Sequence, residues 1–143
     1  MPTNEILNFG MPWEAEFGYV QARKVGEFIF VSGQLSHDQH GNMVAPAPLD
    51  EQGVVRDFAN MEAQISQSYA NLGRVLDHFG ISPLNVVEEV LYVLDMNAAF
   101  AAAGPVRKRF YATDRPQVAS TLLVTPRLAF PSQLVEIKFV VRA

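Results

Sequence analysis

The sequence predicts an α+β domain, a mixed sheet in the order β-β-α-β-α-β-β with two helices on one face. Three observations carry this. The runs EFIFVSG at 27–33 and LVEIKFVV at 134–141 have strand chemistry. Phe58, Met61, Ile65, Tyr69, Leu72, Leu76 and Phe79 recur at spacings of three and four, which marks one stripe of a long amphipathic helix. The 143 residues, 49% hydrophobic and 18% charged, have the size and balance of one globular domain spanning the whole chain.

Taken in order, Gly18–Val25 and Glu27–Gly33 read as two strands around Gly26. In the second, Phe28, Phe30 and Ser32 share one face and Ile29 and Val31 the other, so both faces call for cover. Ser36–Gly53 is rich in Gly, Pro, Asn and Asp and reads as a surface loop, with a turn at His40-Gly41-Asn42. The long helix follows and stops at Gly80, a favoured residue just past a helix end. Gly73 inside it costs about 1 kcal/mol relative to Ala, which points to another backbone packed close. Ser82-Pro83 starts a new element, and Val86–Met96 is rich in strand formers. Asn97 stands where a cap would open a second helix, but Pro105 inside a helix costs about 3 kcal/mol, so the helix is expected from Pro105 onward. Ser120–Thr125 and Leu134–Val141 close the chain as strands. In the last one, Val135, Ile137, Phe139 and Val141 form an apolar row opposite Leu134, Glu136, Lys138 and Val140. With helices on only one face, the other sheet face is expected to be covered by another subunit.

Composition excludes several classes of function. The absence of cysteine removes disulfide scaffolds, thiolate metal sites and a cysteine nucleophile. A net charge of -4 argues against a nucleic-acid surface, which is built from clustered Lys and Arg. No apolar run is long enough to span a bilayer, and Met1–Gly10 lacks the basic start and apolar core of a secretory signal, so the expected address is the cytoplasm. VSGQ at 31–34 lacks the lysine of a phosphate-binding loop.

Of the three histidines, His37 and His40 share a loop without a further ligand cluster, and His78 suits a helix C-terminus. No metal site is expected. Ser32 and Ser120 have no histidine or acid at a spacing that singles out a triad. Glu136 is the most informative residue, an acid interrupting an apolar strand on the face shared with Lys138. It is exposed at an edge, paired with Lys138, or held in a cleft for proton transfer. Tyr19 places a phenol beside a glycine at the start of the first strand.

Several segments together resemble one family. They are Gly18-Tyr19-Val20-Gln21-Ala22, Phe30-Val31-Ser32-Gly33-Gln34, then Gln64, Gln67 and Asn71-Leu72 on the long helix. Val87–Met96, Arg109-Phe110-Tyr111 and Leu134-Val135-Glu136-Ile137 complete them. In this order, over nearly the whole chain, they resemble the RidA family, also called YjgF/YER057c/UK114 or L-PSP endoribonuclease-like. The resemblance implies a chorismate-mutase-like fold and a homotrimer whose three sheets form a central barrel, with ligand sites in clefts between subunits. It also implies hydrolysis of reactive enamines and imines to a carbonyl compound and ammonia, with no cofactor. In that chemistry a glutamate positions the attacking water, an arginine holds the substrate carboxylate, and a tyrosine and a strand glycine shape the pocket.

Carried over by position, the glutamate is Glu136, the tyrosine Tyr19 and the glycine Gly33. The arginine has no counterpart. Its segment falls on Pro116-Gln117-Val118-Ala119-Ser120-Thr121, where Ala119 takes its place, or Val118 if the match shifts by one. An asparagine common in the second helix falls near Gly104. Ala119, Ser120 and Thr121 remain the expected pocket positions, and Arg127, ahead of Arg115, is the candidate replacement cation. Losing a charge-assisted hydrogen bond costs about 1.5–3 kcal/mol, so simple 2-imino acids are expected to be poor ligands. Two readings follow: an imine or enamine hydrolase acting on another small metabolite, or a binding or regulatory module that keeps the cleft without turnover.

Overall fold

The structure, a computed structural model, describes residues 5–143. Ten elements follow one another: β1 (Glu5–Leu7), α1 (Pro12–Phe17), β2 (Ala22–Val25), β3 (Phe28–Gln34), α2 (Met61–Phe79), a 3-10 turn (Pro83–Asn85), β4 (Val86–Val93), α3 (Met96–Tyr111), β5 (Ala119–Val124) and β6 (Val135–Arg142). The strands form one six-stranded sheet in the order β1-β2-β3-β6-β4-β5. All neighbours are antiparallel except β4 and β5, the parallel pair that α3 connects. The α+β class and the mixed sheet are as the sequence predicts, with β1 and α1 added in front.

The core lies between the sheet and α2. Ile65, Tyr69, Leu72 and Leu76 of α2 are buried over Ile29 and Val31 of β3 and the Val135, Ile137, Phe139 and Val141 row of β6. That row is therefore covered within the chain and leaves nothing for a second subunit. The uncovered apolar groups stand on the reverse face, where Phe28 is 39% and Phe30 52% exposed. The polar residues of α2 tie down the loops beside the sheet. Gln64 Nε2 donates to the carbonyls of Ala45 (2.9 Å) and Ser132 (3.0 Å), and its Oε1 accepts from the Leu134 amide (2.8 Å). Asn71 Nδ2 donates to the carbonyls of Leu35 and His37.

Four expectations need correction. The first strand begins at Ala22, because Gly18, at φ 73°, ends α1 and residues 18–21 connect the two elements. The long helix begins at Met61, leaving Phe58 just before it. Its Gly73 faces the Phe110 ring, 3.8 Å from where a Cβ would stand, and not a backbone. The second helix begins at Met96, capped by Asp95 rather than Asn97, with Asp95 Oδ2 accepting from the Ala98 amide at 2.8 Å. It runs through Pro105 because Ala99, Ala102, Ala103 and Val106 are all buried, and that packing outweighs the missing hydrogen bond.

A bulge on β4 sends a carboxylate into the core. Val86 pairs with Val141 and Glu88 with Val140, so Val87 is an extra residue and the alternation shifts by one. Glu89 consequently points inward and is fully buried. Glu89 Oε2 accepts from the hydroxyls of Tyr69 (2.6 Å) and Tyr111 (3.1 Å), and Oε1 pairs with Arg107 Nε. Arg107 also donates through Nη2 to Ser120 Oγ at 3.1 Å, which fastens β5 to α3. Removing one partner of a buried ion pair leaves the other uncompensated, so Arg107→Met is expected to cost about 3–5 kcal/mol in urea denaturation. Replacing the whole cluster, Glu89→Leu and Arg107→Met with Tyr69→Phe and Tyr111→Phe, leaves no buried polar group unpartnered and is expected to recover most of that loss.

Candidate functional site

The central feature is a second bulge, in β3. Val31 pairs with Phe139 and Gln34 with Ile137, so three steps on β3 face two on β6. The extra residue falls at Ser32-Gly33, beside Glu136. A Cβ built on Gly33 would lie 2.5 Å from Glu136 Cδ and 2.8 Å from Oε1, so only glycine lets the carboxyl lie across the strand. Ser32 fixes the neighbouring connector: its Oγ donates to the Val20 carbonyl (2.6 Å) and its amide to that of Gln21 (2.8 Å). Gln34 Nε2 donates to Gln21 Oε1 at 2.8 Å. These bonds hold residues 18–21 against β3 and place Tyr19 next to Glu136.

Glu136 has neither a cation nor a hydrogen-bond donor among the described residues. Lys138 is exposed and makes no ion pair with it, so the pairing reading does not hold in this structure. Burial alone pushes its carboxyl above the ordinary carboxylate range. Burial also pushes the Tyr19 phenol up, reinforced by the carboxylates of Glu136 and Glu14 and opposed by a hydrogen bond with Gln21. Tyr19 is therefore a neutral hydroxyl at neutral pH, able to donate or accept beside an unpaired acid.

Glu136, Tyr19 and Gly33 thus come together, but Ala119, Ser120 and Thr121 do not join them within one chain. Ala119 stands opposite Glu88, whereas Glu136 stands opposite Tyr92, four residues further along β4. At about 3.3 Å per residue that is roughly 13 Å along the sheet, and two strands away. Ser120 accepts from Arg107 Nη2 on the helix side, at 3.1 Å. Ala119, Ser120 and Thr121 are all exposed. Arg127 lies beyond β5 and lines a hollow of about 570 Å³ with Gln52, Phe58, Leu94 and Phe130. Arg115 lines another, of about 520 Å³, with Phe110, Tyr111 and Val118. Glu136 lines neither hollow.

The family model described as Endoribonuclease L-PSP matches residues 12–143. The chain belongs to this family. Its sheet and helices superpose on a protein of unknown function, PA3499 from Pseudomonas aeruginosa, with a TM-score of 0.76 at 26% identity, covering 99% of this chain and 94% of that one. Rv2704 of Mycobacterium tuberculosis, a member of the YjgF/YER057c/UK114 family, gives a TM-score of 0.73 at 20% identity over 99% of this chain and 100% of its own. Among curated relatives, a RutC family protein from Pyrococcus abyssi is 29% identical over 68% of this chain and 67% of its own length. The 2-iminobutanoate/2-iminopropanoate deaminase of Capra hircus is 29% identical over 71% of this chain and 65% of its own length. The matches thus span about two thirds of those relatives. No helix among the described residues is long and apolar enough to cross a membrane.

One residue beside the site escaped the sequence reading. Glu14, buried at the start of α1, accepts from the amides of Phe9 (2.8 Å), Gly10 (3.0 Å) and Met11 (3.1 Å), and so fixes the segment leading to Tyr19. The visible signal was an acid three residues after Met11 with Pro12 between them, the pattern of a helix start.

The unpaired state of Glu136 has a measurable sign. A carboxyl whose folded pKa is raised supports the fold below its unfolded pKa and loses that support as pH rises through the folded value. Glu136→Gln is therefore expected to be at least as stable as the parent at about pH 7. Any advantage should vanish below the ordinary carboxylate value of 4.5. Urea denaturation at the two pH values checks this, and an ion pair with Lys138 would give the opposite sign.

Proposed function

We propose that the protein is a hydrolase of reactive imines or enamines, with Glu136 orienting and deprotonating the attacking water. The observation that carries this reading is the Glu136 carboxyl itself, half-buried across Gly33, unpaired and beside the Tyr19 hydroxyl. The oxygen of a water held by Glu136 adds to the C=N carbon while the carboxylate takes its proton. The same proton passes to the nitrogen, giving a carbinolamine; Glu136 then takes the proton of the new hydroxyl and returns it to that nitrogen, so that the C=O bond forms as the C–N bond breaks and ammonia leaves. Tyr19 is the neighbouring hydroxyl able to steady the nitrogen or oxygen during these transfers. No step calls for a metal or cofactor. The family membership and the deaminase named among the relatives support the same class of reaction.

The working form is proposed to be a homotrimer with the cleft between subunits. The uncovered apolar face at Phe28 and Phe30 supports it, and a site shared between copies is the arrangement in which Ala119 and Glu136, far apart in one chain, could line the same pocket. With Ala119 at the position of the carboxylate clamp and Arg127 in a separate hollow, the substrate is proposed to be an imine without an α-carboxylate. The same alanine favours a second reading, a module that binds a small metabolite without turnover. The net charge of -4 argues against RNA as the substrate despite the family's name.

Sedimentation is expected to give a trimer at micromolar concentration, and a stable monomer would contradict the cleft. With 2-iminobutyrate generated in situ, the expected hydrolysis is slow, and Arg127→Ala is expected to leave it unchanged. On an imine lacking the carboxylate, turnover is expected to fall about 10²–10⁴-fold in Glu136→Gln. An unchanged rate would overturn the role given to Glu136, and a parent with no turnover above the uncatalysed rate would favour the binding module.

A further inference from the structure

His37 is buried to 1% exposure, and the mechanism does not use it. Its Nδ1 lies 2.9 Å from the Asp38 carbonyl, which can only accept, so Nδ1 carries the proton and Nε2 is a bare lone pair. Nε2 has no hydrogen-bond partner among the described residues. The ring is caged by residues from the N-terminal segment. Trp13 packs edge-on at 5.4 Å and Phe9 lies at 5.8 Å between ring centroids. A proton added at Nε2 would find no acceptor there. Three charged groups face the ring. The Arg74 guanidinium of α2, seated 4.2 Å over Phe9, opposes a cation. Asp38 and Glu14 favour one, but both carboxylates are already engaged by backbone amides.

The same segment ends at the candidate site. Gly18 and Tyr19 donate their amides to the Glu14 carbonyl, at 3.0 and 3.1 Å, so Tyr19 is tied to α1 on one side, while Val20 and Gln21 just beyond it are the residues that bond to β3. We propose that residues 9–19 are an acid-released strap: protonation of His37 frees Trp13 and α1 from the ring and draws Tyr19 away from Glu136. The device operates whether or not the cleft turns substrate over.

Trp13 is the only tryptophan, so the native protein carries its own reporter. Emission from Trp13 and hydrogen exchange at Gly18 and Tyr19 are followed from about pH 7.5 to 5 in the parent, in His37→Phe and in His40→Gln. The parent is expected to shift its emission below pH 6.5, the ordinary histidine value. Protection at Gly18 and Tyr19 is expected to fall about tenfold per pH unit there, once intrinsic exchange is divided out. His37→Phe keeps the aromatic contact without a titrating group and is expected to stay flat, while His40→Gln behaves as the parent. A flat parent, or the same transition in His37→Phe, overturns the proposal. Should His37→Phe fail to fold, the ring resonances of His37 in the parent decide: they must titrate together with Trp13, and titration without any change at Trp13 overturns it.

Discussion

The contact of the Glu136 carboxyl with the bare backbone of Gly33 is the constraint on which the site depends. A strand that alternates strictly would present a side chain there and turn the acid away. Glycine at 33, within the irregular stretch of β3, removes that obstacle, and Ser32 beside it binds the connector that bears Tyr19. One local irregularity therefore places three groups. Without it the sheet would still have a core, since the buried rows of β3 and β6 lie on the opposite face.

Two carboxylates on neighbouring strands show how placement divides structural from chemical work. Glu89, on the helix side, is saturated by two tyrosine hydroxyls and Arg107, and serves as a staple joining β4, α2 and α3. Glu136, on the reverse side, is given no partner and is left with a raised tendency to hold a proton. Unsatisfied, partly desolvated acids work against the fold, and such groups concentrate where chemistry or binding needs them. The arginine that could have served a substrate carboxylate is not beside Glu136, because Arg107 is spent on Glu89 and Arg127 stands past the sheet's end.

Periodicity made the main layers legible. The α2 stripe and the inward row of β6 were readable because each repeats without interruption. Bulges were not readable, since an extra residue looks like any other until its partner strand is known. Val87 therefore hid the burial of Glu89. Proline chemistry misplaced the start of α3, because four small buried residues outweigh one lost hydrogen bond there. The short elements β1 and α1 lie below the length at which a pattern can show. Their anchor, Glu14, works through backbone amides, and only its place just after Pro12 at a helix start marks it in the sequence. Of the site, Glu136, Tyr19 and Gly33 were legible through the family resemblance, and their mutual contact was not.

The account stands on Glu136 being an unpaired, desolvated carboxyl, and a direct titration of that group is the sharpest test. Carbon-detected NMR of the labelled side chain reports its midpoint in the intact protein. The expected midpoint lies above the ordinary 4.5, stays there in Lys138→Met, and falls toward the ordinary value when Gly33→Ala pushes the carboxyl off the strand. A midpoint at or below 4.5 in the parent, rising in Lys138→Met, would show an ion pair in place of a free acid and contradict the account.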